Sequence, residues 1–314
     1  MKRRGEPTRA ERAKIFIRPR RRFRLATKRL RILPSFLIIG AQSAGTTSLY
    51  QYLSAHSEVD RSTSGIDGAA WNKELHFFDD RFDRGLTWYQ AAFPLAFNRK
   101  LAELRGRQLI SGEATPYYLL HPLVPVRVAR TLPDVRLIAL LREPVERAYS
   151  HYQLMRRERR EPLSFPEAIA AEEKRLAGEV ERILAEPSYR SRKHRNFSYV
   201  TRGLYADQLE RWFEHFPREQ LLVLRAEDLL ASPAETYSEV LEFLGLQPHS
   251  LEDFVRHNRP ETPAPAPIEP DLRSRLQERF VEPNMRLAAL LGRDFGWSDA
   301  VTRSTTLPVG ATDA

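Results

Sequence analysis

The sequence predicts an α/β fold in which a central, mainly parallel sheet is flanked by helices. Short apolar runs rich in β-branched residues read as buried strands, and amphipathic helical segments separate them. This alternation is typical of parallel strands joined by helical crossovers. Of the 314 residues, 42% are hydrophobic, which is enough to build one large core.

The first elements are a buried strand over residues 34–41 and a helix over 46–55. Residues 57–72 are polar and contain glycine, so a loop is expected there, and 73–79 alternate like a short strand or a strand end. Further strands are predicted in the segments 107–120 (entering a loop at Gly112), 134–142 and 220–230. Further helices are predicted in the segments 144–160, 163–176, 203–216, 232–246 and 271–292. In the last helix, Pro283 should cause a kink or a break.

The charge is unevenly distributed and divides the chain into three parts. Residues 1–31 hold 14 Lys and Arg against 2 Asp and Glu, whereas the rest carries a net charge of −3 within the total of +9. We expect a basic, disordered leader over residues 1–33, one domain over 34–298 and a frayed tail over 299–314. A nucleic-acid-binding domain is disfavoured, because its basic patch should lie on the fold itself.

The location expected from composition is cytoplasmic. The chain has no cysteine, which excludes disulfides and thiolate chemistry and fits a reducing compartment. The leader lacks the apolar core of a secretory signal, and nothing approaches ~18 uninterrupted apolar residues. A solvated tail and a peripheral contact with an anionic membrane or polymer both remain open for the leader.

A small-residue loop joins the first strand to the first helix. Gly40 and Gly45 have the spacing of a phosphate-binding P-loop, but Thr46 stands where a nucleoside-triphosphate enzyme has its lysine. Without that lysine, triphosphate chemistry is disfavoured. Backbone N–H groups at the helix start and the hydroxyls of Thr46, Thr47 and Ser48 suit a phosphate with less charge. A turn without a ligand is the alternative.

The segment "GAQSAGTTSL" resembles the 5′-phosphosulfate loop of sulfotransferases, enzymes that use 3′-phosphoadenosine 5′-phosphosulfate (PAPS) as sulfuryl donor. The resemblance implies a P-loop-like three-layer fold and a nucleotide site. In "LREPVERAYSHY", it assigns the donor's 3′-phosphate to Arg142 and Ser150. Guanidinium groups suit this role because they form bidentate, charge-assisted bonds to phosphate. The loop residues implied in donor binding are Gln42, Ser43, Ala44, Gly45, Thr46, Thr47 and Ser48.

The resemblance extends from about residue 36 to 297 and is greatest to the heparan sulfate, or glycan, branch. There "KELHFFD" resembles a segment whose glutamate, here Glu74, is the catalytic base. The same segments imply a carbohydrate, or another molecule with a hydroxyl or amine, as acceptor. His76 is the rival base, because in a strand it would project from the same face as Glu74. A neighbouring anionic donor should raise the pKa of Glu74 and improve it as a base.

Two departures from the family pattern put turnover in doubt. Ser43 replaces a lysine that stabilises the leaving phosphate, a loss that typically costs ~3–4 kcal/mol of transition-state stabilisation. Ala114 replaces a second lysine, after Glu113. Lys73 is the nearest candidate cation, although in a strand its side chain would point away from Glu74. The alternative function is therefore a protein that binds PAPS or its product PAP without efficient turnover; a P-loop kinase is a third.

The remaining expectations concern the donor loop, metals and aromatic residues. Arg259 is carried over as a donor contact from a basic loop, although the proline-rich segment here lacks the family's glycine. No metal is expected, because the sequence has no carboxylate cluster of ligand spacing and a monoanionic sulfuryl group needs no magnesium. Sugar-stacking candidates are Trp71, Trp88, Tyr117 and Trp212, the last being expected in the core.

Overall fold

A computed structural model describes residues 22–61, 73–255 and 266–297 of the chain. Its centre is a sheet of five parallel strands in the order β2-β3-β1-β4-β5. The strands are β1 (Phe36–Gly40), β2 (Val59–Arg61), β3 (Ile110–Ala114), β4 (Arg136–Leu141) and β5 (Leu221–Arg225). The predicted α/β architecture with a parallel central sheet is confirmed.

Helices connect the strands and flank the sheet. They are α1 (Thr46–Ala55), α2 (Phe77–Asp80), α3 (Leu86–Gln90), α4 (Ala96–Leu104), α5 (Val124–Thr131), α6 (Pro144–Arg157), α7 (Phe165–Leu176), α8 (Glu179–Ala185), α9 (Arg192–Phe197), α10 (Tyr205–Phe213), α11 (Ala226–Ala231), α12 (Pro233–Leu244) and α13 (Pro270–Leu291). Short 3₁₀ turns cover Lys28–Leu30, Phe82–Arg84, Thr201–Gly203 and Arg218–Gln220.

The central strand β1 sets the position of the functional loop. All five of its residues are buried between β3 and β4, as its continuous apolar run predicts. Its register pairs Phe36 with both Gly112 and Arg136. Because parallel strands end at the same edge, the loops that follow β1, β3 and β4 converge there.

Two groups of apolar side chains form the interior. The larger covers the sheet, and the smaller joins α6, α7 and α13 through residues such as Val145, Phe165 and Phe280. This second cluster fixes α13 against α6, and so brings the far C-terminal part of the chain to the helix that follows β4.

Five local predictions about the fold were wrong. The strand predicted over 220–230 ends at Arg225, and residues 226–231 form helix α11. Residues 73–76 form no strand, and the helix α2 starts at Phe77. Residues 59–61 form strand β2 within the segment expected to be a loop, because their backbone pairs with β3; 62–72 lie outside the described residues. Strand β3 continues through Gly112 to Ala114. The last helix is unbroken through Pro283, so the predicted break is wrong, whereas a kink stays a prediction.

The last part of the basic leader packs on the domain. Arg31 is buried, and its Nη1 donates to the carbonyl of Phe93 at 2.6 Å. Ile32 belongs to the main core, and Arg31 forms a backbone bridge with Leu95. Disorder up to residue 33 is therefore wrong for this part, since these contacts hold it in place. Residues 1–21 lie outside the described residues, as does the tail expected to fray.

Candidate active site

The loop between β1 and α1 has the geometry of an anion site. Gly45 caps α1 with φ of 97°, a left-handed conformation that glycine adopts without a steric penalty. Ser43 is also left-handed, with φ of 68°. The first turn of α1 holds the hydroxyl residues Thr46 and Thr47 and no acidic residue. The first N–H groups of a helix have no acceptor within it, so this turn presents donors to an anion.

A cavity of about 780 Å³ opens at this loop. Of the donor-binding and catalytic residues predicted from sequence, those on its wall are Gln42, Ser43, Ala44, Gly45, Thr46, Thr47, Ser48, Lys73, Glu74, Arg142 and Ser150. His76 stands behind Glu74 rather than on the wall described for this cavity. Arg259 lies outside the described residues.

Arg142 connects two ends of the site. It follows the last residue of β4, and its Nη1 donates to the carbonyl oxygen of Ser43 at 3.2 Å. Ser150 lies two helical turns further along α6 and borders the same cavity. Segments about a hundred residues apart in sequence therefore meet at one edge of the sheet, as the two motifs imply.

The wall beside Arg142 contains charged residues that the sequence analysis missed. Glu146 accepts from Arg142 Nη2 at 3.4 Å and from Arg273 Nη2 at 2.5 Å. Arg273 lies in the first turn of α13, and Arg157 borders the cavity from the end of α6. No short sequence motif relates α13 to the loop after β1. Arg273 could have been identified as a cavity residue only from the packing of α13 on α6.

Glu74 is held between two cationic side chains. Its Oε1 lies 2.9 Å from Lys73 Nζ, and its Oε2 lies 3.1 Å from His76 Nε2. Because this segment is not a strand, Lys73 and Glu74 do not point to opposite sides as the strand prediction required. Lys73 Nζ also lies 3.4 Å from the carbonyl oxygen of Ala114, at the end of β3.

His76 is oriented by Asp79. Its backbone is left-handed, with φ of 48°, where it caps α2. This places Nδ1 2.6 Å from Oδ2 of the fully buried Asp79. With Nδ1–H donating to Asp79, the opposite ring nitrogen faces Glu74. This geometry places the imidazole between the carboxylates of Asp79 and Glu74.

The charges of these residues set their protonation. Burial alone would raise the pKa of Glu74, but the hydrogen bonds and charges of His76 and Lys73 outweigh it and lower the pKa to about 2. Burial alone would lower the pKa of His76, yet Asp79 and Glu74 raise it to about 9. At neutral pH the site therefore holds a carboxylate beside an imidazolium. The protein groups alone therefore lower the pKa of Glu74, and the rise expected from a neighbouring anionic donor stays a prediction.

Arg195 approaches the same histidine from α9. Its Nη2 lies 2.7 Å from His76 Nε2, and its Nη1 donates to Asp80 at 2.7 Å. Nε2 can accept from Arg195 only when His76 is neutral, whereas it donates to Glu74 when it carries a proton. The high pKa of His76 favours the bond to Glu74.

The structure weakens one ground for expecting no metal. His76, Asp79 and Asp80 have possible ligand atoms within 4.8 Å of one another, a cluster that the sequence analysis did not foresee. The Arg195 guanidinium already pairs with Asp80, and His76 with Asp79. Both carboxylates of this cluster, Asp79 and Asp80, therefore already have cationic partners in the protein. The absence of a metal stays a prediction.

A buried glutamate supports the segment that carries Glu74. Glu113 is fully buried in β3, and burial raises its pKa. Its carboxyl group accepts from Tyr89 at 2.6 Å and from the backbone N–H of Leu75 at 3.1 Å. Further donors are the hydroxyls of Thr115, at 2.7 Å, and Tyr118, at 3.0 Å. The bond to Leu75 ties the residue after Glu74 to the sheet.

A second arginine reaches the loop from the interior. Arg202 is fully buried, and its Nη1 donates to Oε1 of Gln42. Its Nη2 donates to the carbonyl of Arg195 at 2.8 Å. Burial, followed by the charge of Arg147, lowers the pKa of Arg202 to about 9. This guanidinium fixes the side chain of Gln42 at the mouth of the loop.

The aromatic candidates for sugar stacking differ in their surroundings. Trp212 is fully buried in the core, as expected. Tyr117 is buried, and its hydroxyl oxygen lies 2.8 Å from His194 Nδ1. Arg84 lies over the ring of Trp88, 5.0 Å from its centroid. Trp71 falls outside the described residues.

Known sulfotransferases resemble this chain in sequence and in structure. A family model described as a sulfotransferase domain matches residues 33–263. A crystal structure of a sulfotransferase from Alicyclobacillus acidocaldarius is 32% identical, covering 85% of this chain and 99% of that one, with a TM-score of 0.59.

Two curated relatives match over most of the chain. The membrane-associated sulfotransferase kil1 of Dictyostelium discoideum is 27% identical, over 86% of this chain and 68% of that protein. Human heparan sulfate glucosamine 3-O-sulfotransferase 3B1 is 28% identical, over 84% of this chain and 65% of that protein. The chain thus spans about two thirds of the length of these relatives.

The expected cytoplasmic location, with a membrane-peripheral option, is wrong. Relatives that match most of the chain include a protein named as membrane-associated and heparan sulfate sulfotransferases. Among the described residues, no helix is both long and apolar enough to cross a membrane. The predicted contact of the basic leader with an anionic surface gains no support, since residues 1–21 lie outside the described part.

Proposed function

Because the chain belongs to the sulfotransferase family, we propose that it transfers a sulfuryl group from PAPS to a hydroxyl or amine of a carbohydrate. The observation that carries the proposal is that Glu74, Arg142 and the loop at Ser43 border one cavity. Donor binding and proton abstraction require these three groups at one place. The relatives that are named for heparan sulfate support a glycan acceptor.

The residues of the cavity suit a nucleotide with phosphates at both ends. The first turn of α1 supplies N–H and hydroxyl donors for the 5′-phosphosulfate. Arg142 and Ser150 supply a guanidinium and a hydroxyl for the 3′-phosphate. The carbonyl of Ser43 orients Arg142, so both subsites are preorganised by one contact.

In the proposed reaction, Glu74 accepts the proton of the acceptor hydroxyl or amine. The acceptor oxygen or nitrogen forms a bond to sulfur as the bond from sulfur to the 5′-phosphate oxygen breaks, which leaves PAP and the sulfated acceptor. His76, oriented by Asp79, holds the Glu74 carboxylate in place. Lys73 is the nearest described cation to Glu74 and takes the place of the missing loop lysine.

The alternatives gain less support. A PAPS-binding protein without turnover was suggested by Ser43, but the relatives are named as sulfotransferases and Lys73 offers a cation on the same cavity. A P-loop kinase lacks its loop lysine here, since Thr46 occupies that position.

The proposal is tested by incubating the full chain with sulfur-labelled PAPS and a panel of heparan-type glycans. We expect label in the glycan and release of PAP in equal amounts, both lost in Glu74→Gln. Tight PAP binding without label transfer to any glycan would favour the binding protein. Preference for ATP over PAP would favour a kinase.

A further inference from the structure

The most informative feature outside the motifs is the carboxylate shared by two arginines on the wall of the cavity. Glu146 Oε2 lies 3.4 Å from Arg142 Nη2, while its Oε1 lies 2.5 Å from Arg273 Nη2. Arg142 comes from the end of β4 and Arg273 from the first turn of α13. The Glu146 carboxylate therefore forms ion pairs with two guanidinium groups that come from different elements.

This point is the subsite proposed for the 3′-phosphate. Glu146 and Ser150 lie one helical turn apart on α6, and both border the cavity together with Arg273. The wall is continued by residues 266–268, and the hydroxyl of Tyr149 donates to the carbonyl of Ala266. This contact and the packing of α13 on α6 fix the position from which Arg273 extends.

The side chain of Arg273 is accessible to a ligand. Its exposed fraction is 36%, against 21% for Arg142 and 38% for Glu146. A phosphate dianion carries more charge than one carboxylate and can accept from both guanidinium forks at once. The two arginines together offer two positive charges where Glu146 supplies only one negative charge.

We propose that Arg273 is a specificity-determining residue that binds the 3′-phosphate of the donor together with Arg142, and that Glu146 holds both guanidinium groups ready for it. The proposal rests on the proposed function, because it assumes that a 3′-phosphorylated adenosine nucleotide enters this cavity. Arg273 then makes the protein bind nucleotides that carry a 3′-phosphate more tightly than nucleotides that lack it.

The test compares two nucleotides that differ only in the 3′-phosphate. Calorimetric titration of the full chain with PAP and with adenosine 5′-monophosphate measures how much affinity the extra phosphate provides. For Arg273→Ala, we expect PAP affinity to fall about 10-fold or more, as for a lost charge-assisted hydrogen bond, with monophosphate affinity unchanged within about 2-fold. Arg273→Lys, which keeps the charge without the fork, should lie between wild type and Arg273→Ala.

The matched control is Arg275→Ala, an exposed arginine two residues along α13 that is not on the cavity wall. It should leave both affinities unchanged. The proposal would be overturned if Arg273→Ala lost no PAP affinity, or lost affinity for both nucleotides equally. It would also be overturned if Arg275→Ala lost as much PAP affinity as Arg273→Ala. Failure of the wild-type protein to bind PAP would instead refute the proposed function itself. If Arg273→Ala does not fold, the comparison of Arg273→Lys with wild type decides in the same way.

Discussion

Lys73 Nζ lies 2.9 Å from Glu74 Oε1, on the cavity that contains the lysine-free loop. The side chain of Lys73 is 7% exposed, so its charge is little screened by water. A preorganised cation in such a place is typically worth ~10²–10³ in kcat. We therefore expect Lys73→Ala to lower kcat by about that factor, measured by PAP release.

The control for this prediction is Lys100→Ala, an exposed lysine on α4. Ser43→Lys, added to Lys73→Ala, should restore part of the activity by returning a cation to the loop. Full activity in Lys73→Ala would show that Lys73 does not replace the family's lysine.

Glu74→Gln separates catalysis from donor binding. Glutamine keeps the size of the side chain but cannot accept the proton of the acceptor, so kcat should fall by ~10²–10⁴. PAP affinity should remain within a few-fold of wild type, because the nucleotide subsites are formed by other residues. Turnover close to wild type would exclude Glu74 as the base.

The ion pairs of His76 predict that stability declines at alkaline pH. An unfolded histidine titrates near 6.5, and the pKa of His76 is raised to about 9 in the fold. Its contribution to the free energy of unfolding is therefore complete below pH 6.5 and is lost as pH rises through about 9. The loss should be on the order of 3 kcal/mol between pH 6 and 10, measured by urea unfolding.

His76→Gln should remove most of this loss of unfolding free energy between pH 6 and 10, because glutamine does not titrate. Asp79 and Arg195 keep their charges in this variant. The exposed His215, changed to glutamine, is the matched control and should leave the wild-type profile intact. An identical pH profile in wild type and His76→Gln would contradict the raised pKa.

The hydrogen bonds of Glu113 predict a stability cost that is independent of the reaction. In Glu113→Gln, the amide retains one acceptor oxygen but directs its NH₂ group at donors that need an acceptor. We expect the free energy of unfolding to fall by about 2 kcal/mol. Glu103→Gln, at an exposed position on α4, should change it by less than about 1 kcal/mol. Equal stability of the two variants would show that the buried carboxylate does not hold the segment before α2.

Sequence patterns located the parts of the site that depend on local geometry. The helix starting at Thr46 was predictable because a small-residue turn and hydroxyl residues follow a buried apolar run. The end of β4 at Leu141 was likewise marked by Arg142 and Pro144. Both boundaries depend on residues close together in the chain.

The parts that could not be predicted depend on tertiary contacts. The segment at Lys73 alternates like a strand, but the bond from Leu75 N–H to buried Glu113 fixes it in an irregular conformation. Arg202 and Arg273 reach the site because elements that are distant in the sequence pack together. No residue spacing in the sequence indicates that these two arginines lie at the site.

The central claim is that the loop after β1 and Arg142 bind one adenosine nucleotide with phosphates at both ends. The most direct measurement is the melting temperature of the full chain with and without PAP, in wild type and Arg142→Ala. At a PAP concentration of 100 times Kd, binding should stabilise the wild-type protein by about 2.7 kcal/mol, a rise of a few degrees. At the same PAP concentration, the rise should be much smaller in Arg142→Ala. No rise in the wild-type protein, or an equal rise in both, would contradict the account.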